Sequence, residues 1–107
     1  MRRNQLRTRE DLQKKLVEII GNNNVYFQPP SNVQMKYPAI RYQLDSIELR
    51  RADNLNYSKI KSYAITHIYK SLSNELTDKM INSFQSIRFV SRMYVDGLYN
   101  DRYELIW

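Results

Sequence analysis

Residues 60–69, IKSYAITHIY, constrain the fold more than any other stretch of this chain. In an extended backbone Ile60, Ala64 and Ile68 line one side while Tyr63, Ile65 and Tyr69 line the other. A strand that is apolar on both faces belongs at the centre of a sheet, or in a sheet whose second face meets another chain. The remaining segments are therefore read as elements arranged around this one.

Ahead of it, Thr8 followed by Glu10 and Asp11 marks a helix start, because a hydroxyl cap and early acids satisfy free amides and complement the helix dipole. Leu12, Leu16, Ile19 and Ile20 recur at helical spacing, and Gly21 with Asn22-Asn23-Asn24 supplies a stop. The spacing predicts a helix over 9–20. Val25-Tyr26-Phe27-Gln28 then reads as a short strand, ended by Pro29-Pro30 or held at a sheet edge, since proline cannot donate to a ladder. After Tyr37-Pro38 a second strand places Ile40, Tyr42 and Leu44 on one face and Ile47 and Leu49 on the other parity, so a bulge or bend is expected near Asp45-Ser46. Residues 50–58, RRADNLNYS, read as a polar loop.

Beyond the central strand, Ser73 and Asn74 are cap candidates for a second helix in which Leu76, Met80 and Phe84 fall four apart. Residues 87–94 and 102–107 read as a final pair of strands, joined around Asp96-Gly97 and Asn100-Asp101. The order helix-strand-strand-strand-helix-strand-strand predicts one α+β domain spanning 1–107, an antiparallel sheet of four to five strands with two helices packed on one face.

Residue counts exclude several chemistries. With no cysteine and a single histidine, His67, the chain can form neither a disulfide scaffold nor a thiol- or histidine-rich metal centre. Its two glycines, Gly21 and Gly97, are too far apart for a phosphate-cradling loop, and no G-x-S-x-G elbow is present. His67 sits between Thr66 and Ile68 in the central strand and reads as structural rather than catalytic. Glu48, Asp53, Asp96 and Glu104 carry no mark of a paired-carboxylate site. The expectation is a non-enzymatic protein with no cofactor and no metal. No apolar run is long enough to cross a bilayer as a helix, so no membrane partner is expected.

The net charge of +6 is concentrated near the start. Arg2, Arg3, Arg7 and Arg9 supply four positive charges, and residues 1–8, which hold the first three, read as a basic, flexible or partner-ordered arm. Two further basic features stand out. Arg50-Arg51 enter the polar loop, and Arg88, Val90, Arg92 and Tyr94 share strand parity, interleaving charge with apolar surface. Nine tyrosines and one tryptophan exceed what a single helix-covered face can bury, and such amphipathic aromatics favour interfaces.

Taken in order, several segments resemble the short head-tail connection proteins of tailed phages, of the tail-terminator or tail-completion type. They are Arg9-Glu10-Asp11-Leu12, Val25-Tyr26-Phe27-Gln28-Pro29-Pro30, and Met35-Lys36-Tyr37-Pro38-Ala39-Ile40 with Tyr42. Ala52-Asp53-Asn54 with Tyr57 follows, then Phe89, Arg92, Tyr94, Asp96, Leu98, Asn100, Tyr103 and Leu105. The Arg-rich leader departs from that pattern. The resemblance implies a small α+β virion protein, made in the host cytoplasm, that closes into a ring, commonly a hexamer, on the tail tube. Such a ring ends tail polymerisation and joins the tube to a head-side connector, while DNA enters only as passing genome. Tyr63, Tyr69 and Trp107 are the candidates for packing between copies. Arg50, Arg51 and Tyr57 are candidates for contact with the tube or a neighbouring ring, and Arg2, Arg3, Arg7, Arg88 and Arg92 form the candidate basic surface. The rivals are a head-closure or stopper-like neck subunit and a small basic nucleic-acid-binding module.

Overall fold

A computed structural model describes residues 8–52, 56–71 and 75–107, with the side chains at 50–52 and 56–58 outside that description. The element order is α1 (Arg9–Ile20), β1 (Val25–Phe27), β2 (Ala39–Ala52), β3 (Asn56–Tyr69), α2 (Glu75–Ser83), β4 (Ile87–Val95) and β5 (Leu98–Ile106). This is an α+β fold with one five-stranded mixed sheet, ordered β1-β2-β3-β5-β4.

Local chemistry sets the helix boundaries. Thr8 Oγ1 accepts from the Asp11 amide at 3.1 Å and the Asp11 carboxylate accepts from the Thr8 amide at 3.3 Å, a reciprocal capping box. Gly21, at φ 80°, turns the chain out of α1 and donates its amide to the Val17 carbonyl. The expected caps of α2, Ser73 and Asn74, lie outside the described residues.

The sheet departs from a purely antiparallel one at β1, which pairs parallel with β2 (Val25 opposite Ile40, Phe27 opposite Tyr42). The cause is the Pro29-Pro30 segment and its sequel. The chain leaves β1 after Phe27, crosses back along residues 28–38, and re-enters beside the start of β1, so the two strands run the same way. The other pairs, β2–β3, β3–β5 and β4–β5, are antiparallel. β3 lies between β2 and β5, the central place its two-faced apolarity calls for. A bulge between Leu44 and Ser46 matches the phase change in the sequence.

One core cluster gathers side chains from both helices and one sheet face: Leu12, Leu16 and Ile19 of α1, Met80 of α2 and Phe84 just beyond it, with Ile40, Tyr42, Tyr63, Ile65, Tyr103 and Leu105. Arg9 and Gln13 fasten α1 to the sheet. The Tyr42 hydroxyl donates to Gln13 Oε1, Arg9 Nη1 donates to Tyr42 at 3.2 Å, and the Arg9 guanidinium lies 4.5 Å from the Phe27 ring centroid.

Two sequence expectations fail at hairpins. Residues 50–58 do not form a nine-residue loop, because β2 runs to Ala52 and β3 starts at Asn56, with Arg50 opposite Ser58 and Arg51 opposite Tyr57. At the other hairpin, Asn100-Asp101 is not a turn but part of β5. The two-residue turn is Asp96-Gly97 alone, with φ values of 52° and 80°, both positive as a type I′ turn requires.

Candidate functional site

The pairing register separates a sheet body from a projecting arm. β1 accompanies β2 only as far as Tyr42, and β5 accompanies β3 only from Ser62 onward. From Ile47 opposite Lys61 to Ala52 opposite Asn56, β2 and β3 pair with each other, and the last backbone bond from β5's side is the Trp107 amide donating to the Lys61 carbonyl at 2.9 Å. This two-stranded ribbon extends about 20 Å at the usual rise per residue. It fits a chain whose extents are 52 × 28 × 23 Å and whose radius of gyration is 15.3 Å, against about 13 Å for a compact domain of this length.

Among the arm's described side chains, two aliphatic ones meet solvent beside the charged Glu48 and Lys59. Ile47 is 51% exposed and Leu49 59% exposed. By register Ile47 stands opposite Lys61 and Leu49 opposite Lys59, so two aliphatic side chains are bordered by two cations. Strand parity puts Arg51 with Ile47 and Leu49, and Arg50 with Glu48. Of the three proposed tube-contact residues, Arg51 and Tyr57 therefore share a register position and Arg50 belongs to the opposite parity.

β4 supplies the second apolar surface. It is the last strand of the sheet and pairs only with β5. Phe89, Val90, Met93, Tyr94 and Val95 are all exposed, Tyr94 at 64%. The strand contains no lysine and no proline, two devices that commonly keep an edge from pairing with other strands, although a bulge between Phe89 and Ser91 twists it locally.

That bulge overturns the expected basic face. Because the ladder slips between Phe89 and Ser91, Arg88 and Arg92 fall on opposite sides of the sheet. Arg88 stands opposite Glu104 and bonds it at 2.8 Å, while Arg92 stands opposite Asp101. Arg92 is no surface cation. Its Nε donates to Asp101 Oδ1 at 2.7 Å and its Nη2 to Oδ2 at 3.0 Å, and the Asp101 side chain is fully buried. Tyr69 and Thr77 hydroxyls also bond Oδ2, at 3.0 and 3.2 Å. Arg2, Arg3 and Arg7 lie outside the described residues.

The aromatic candidates for packing between copies are likewise committed within the chain. Tyr63 is 3% and Tyr69 5% exposed, each packed under its own helices and strands. Burial, reinforced by the Asp101 carboxylate, pushes the Tyr69 hydroxyl up to about 12. Trp107 donates its indole N–H to the Thr8 carbonyl at 2.9 Å and sets its ring edge-on to Phe84 at 6.0 Å. The exposed apolar side chains lie instead at Ile47 and Leu49 on the arm and along β4. The sequence signal that would have found the arm pair is the parity of Ile47 and Leu49, which the bulge carries beyond the end of β5.

His67 is buried, stacks on Tyr69 with centroids 4.5 Å apart, and has no hydrogen-bond partner at Nδ1. Burial, with the Arg92 charge nearby, lowers it to about 4, against the opposing pull of Asp101. An imidazole so placed is a neutral packing group. Among the described residues no group of three or more acidic or histidine side chains is placed to hold a metal ion, and no helix is long and apolar enough to cross a membrane.

No protein-family model matches the chain, and no curated protein matches its sequence.

Proposed function

We propose that this chain is a structural assembly subunit of the tail-terminator type. It acts as a ring of copies, six in number, on the end of a phage tail tube, where it stops tube growth and joins the tube to a head-side connector. The observation that carries this reading is the arm, a ribbon displaying Ile47 and Leu49 to solvent beyond the last residue that a third strand supports.

Physical economy supports an assembly role. Covering the exposed half of each of these aliphatic side chains would recover about 1 kcal/mol apiece, so the arm gains stability when something covers it. The β4 edge is a separate apolar patch of different shape. Two unlike patches on one subunit permit head-to-tail contact, which closes into a ring when the rotation per copy divides a full turn. In this reading the β4 edge meets a neighbouring copy and the arm meets the tube.

The decisive experiment mixes the full chain with tail tubes assembled without a terminator and measures tube length and end structure by negative-stain electron microscopy. The expected result is a ring at one tube end and arrested elongation, both lost in the Ile47→Ser, Leu49→Ser double variant. Continued elongation in the presence of the wild-type chain would overturn the proposal, and binding to the isolated connector alone would move the subunit to the head-closure position.

A further inference from the structure

We infer that the sheet face opposite the core carries an anion site, formed by Arg41, Thr66 and Arg102, that receives a carboxylate from an acidic, apolar-flanked segment of a protein partner.

The three residues form a row across adjacent strands. Arg41 of β2 stands opposite Thr66 of β3, which stands opposite Arg102 of β5. The two arginine backbones are thus two strand spacings apart, about 10 Å, with a hydroxyl between them. At that separation two long side chains can converge on one small anion above Thr66. Both arginines are exposed, and neither has an ion-pair or hydrogen-bond partner among the described residues. This sets them apart from the chain's other strand arginines with described side chains: Arg88 is bonded to Glu104, and Arg92 to Asp101. Glu104, the carboxylate two residues along β5, is engaged by Arg88, and Asp101 points into the buried network on the other side.

The row lies between open surface grooves. Depressions of about 230 Å³ and 340 Å³ share Arg41, Thr66 and Arg102 in their walls. The larger one continues onto an apolar ledge of Ile68, Met93, Val95 and Leu98. A paired guanidinium cradle suits a carboxylate or phosphate, and the ledge beside it decides between them. Nucleic acid brings successive phosphates and no aliphatic group, and it would also face Asp96 at the rim and Glu104 on the same side of the sheet. A peptide with an acidic residue next to a leucine-like one satisfies both the cradle and the ledge. The arginine row is separate from the arm, while its ledge shares Met93 and Val95 with the β4 surface.

Fluorescence anisotropy tests this with a labelled decapeptide of alternating glutamate and leucine, its glutamine-for-glutamate and serine-for-leucine counterparts, and a labelled 20-base-pair DNA duplex. The wild-type chain is expected to bind the Glu-Leu peptide. Affinity should fall at least tenfold for each altered peptide, and at least tenfold in the Arg41→Gln, Arg102→Gln variant, whose thermal midpoint should stay at the wild-type value. Absence of Glu-Leu binding, or affinity indifferent to either the arginines or the glutamates, would overturn the site. Duplex DNA binding more tightly than the peptide in an Arg41- and Arg102-dependent way would also overturn it, reassigning the row to nucleic acid. The tube-capping assay depends on neither Arg41 nor Arg102, so failure here leaves that result standing.

Discussion

Arg92 and Asp101 form a two-pronged ion pair across the β4–β5 ladder, with contacts of 2.7 and 3.0 Å, in which the carboxylate is wholly buried and the guanidinium about one-third exposed. Tyr69 and Thr77 complete the shell around Asp101, tying β3 and α2 to the same carboxylate. Removing one member strands the other, and a buried charge without its partner costs several kcal/mol. Arg92→Leu should therefore destabilise the fold by about 3 kcal/mol in urea titration at neutral pH. Arg92→Lys, which keeps the charge but loses the fork, should cost less. A loss under 1 kcal/mol for the leucine variant would show that the pair is not needed to hold β4 against the sheet.

His67 makes acid stability a second readout of the same region. In the fold its imidazole is held near 4 by burial, whereas in the unfolded chain it titrates near 6.5. The unfolded state therefore binds the proton first, and stability declines as pH falls from about 6.5 toward 4, where both states become protonated. The contribution over that window is on the order of 2–3 kcal/mol. Above 6.5 it is constant. Urea midpoints at pH 7 and pH 4.5 should draw closer together in His67→Phe than in the wild-type chain. An unchanged difference would mean that His67 does not govern this part of the profile.

Much of the architecture is legible in the sequence because it follows from local chemistry. The capping box at Thr8 and Asp11, the stop at Gly21, the edge position of Val25–Phe27 and the two-faced apolar central strand each depend on residues a few positions apart. What is not legible depends on register. The slip at Phe89–Ser91 separates Arg88 from Arg92 although sequence parity unites them, and nothing local in RFVSRMY announces it. Asp101 reads as a turn residue because aspartate favours turns, yet Arg92, nine positions earlier, compensates its charge within the sheet. The tyrosines mislead for a related reason. Their hydroxyls find partners at Asp101 and Gln13, so Tyr69 and Tyr42 can be buried at little cost while Ile47 and Leu49 remain outside.

Gly97 offers a backbone test that involves no side-chain contact. Its φ is +80°, and a Cβ built there would meet nothing within 4 Å, so substitution acts through conformational strain alone. Gly97→Ala should cost about 1 kcal/mol, the ordinary penalty for an L-residue in left-handed backbone. Thermal unfolding would register that loss. A neutral result would indicate that the turn can shift out of the type I′ geometry without disturbing the Val95–Leu98 closure.

The β4 edge can be separated from the arm by adding charge where a partner strand would approach. Val90 and Tyr94 are 44% and 64% exposed, so Val90→Lys and Tyr94→Lys remove little buried area and should each change folding stability by no more than about 0.5 kcal/mol. Lysine on an exposed edge opposes strand addition, since docking would have to strip water from the ammonium group. If copies meet through this edge, mass photometry of the double variant should show a shift from ring-sized species to single subunits under conditions in which the wild-type chain assembles. The Ile47→Ser, Leu49→Ser variant should behave oppositely, retaining the ring but failing to seat on the tube. If the lysines leave ring formation intact while the serines abolish it, the assignment of the two surfaces is reversed, with the arm binding the neighbouring copy.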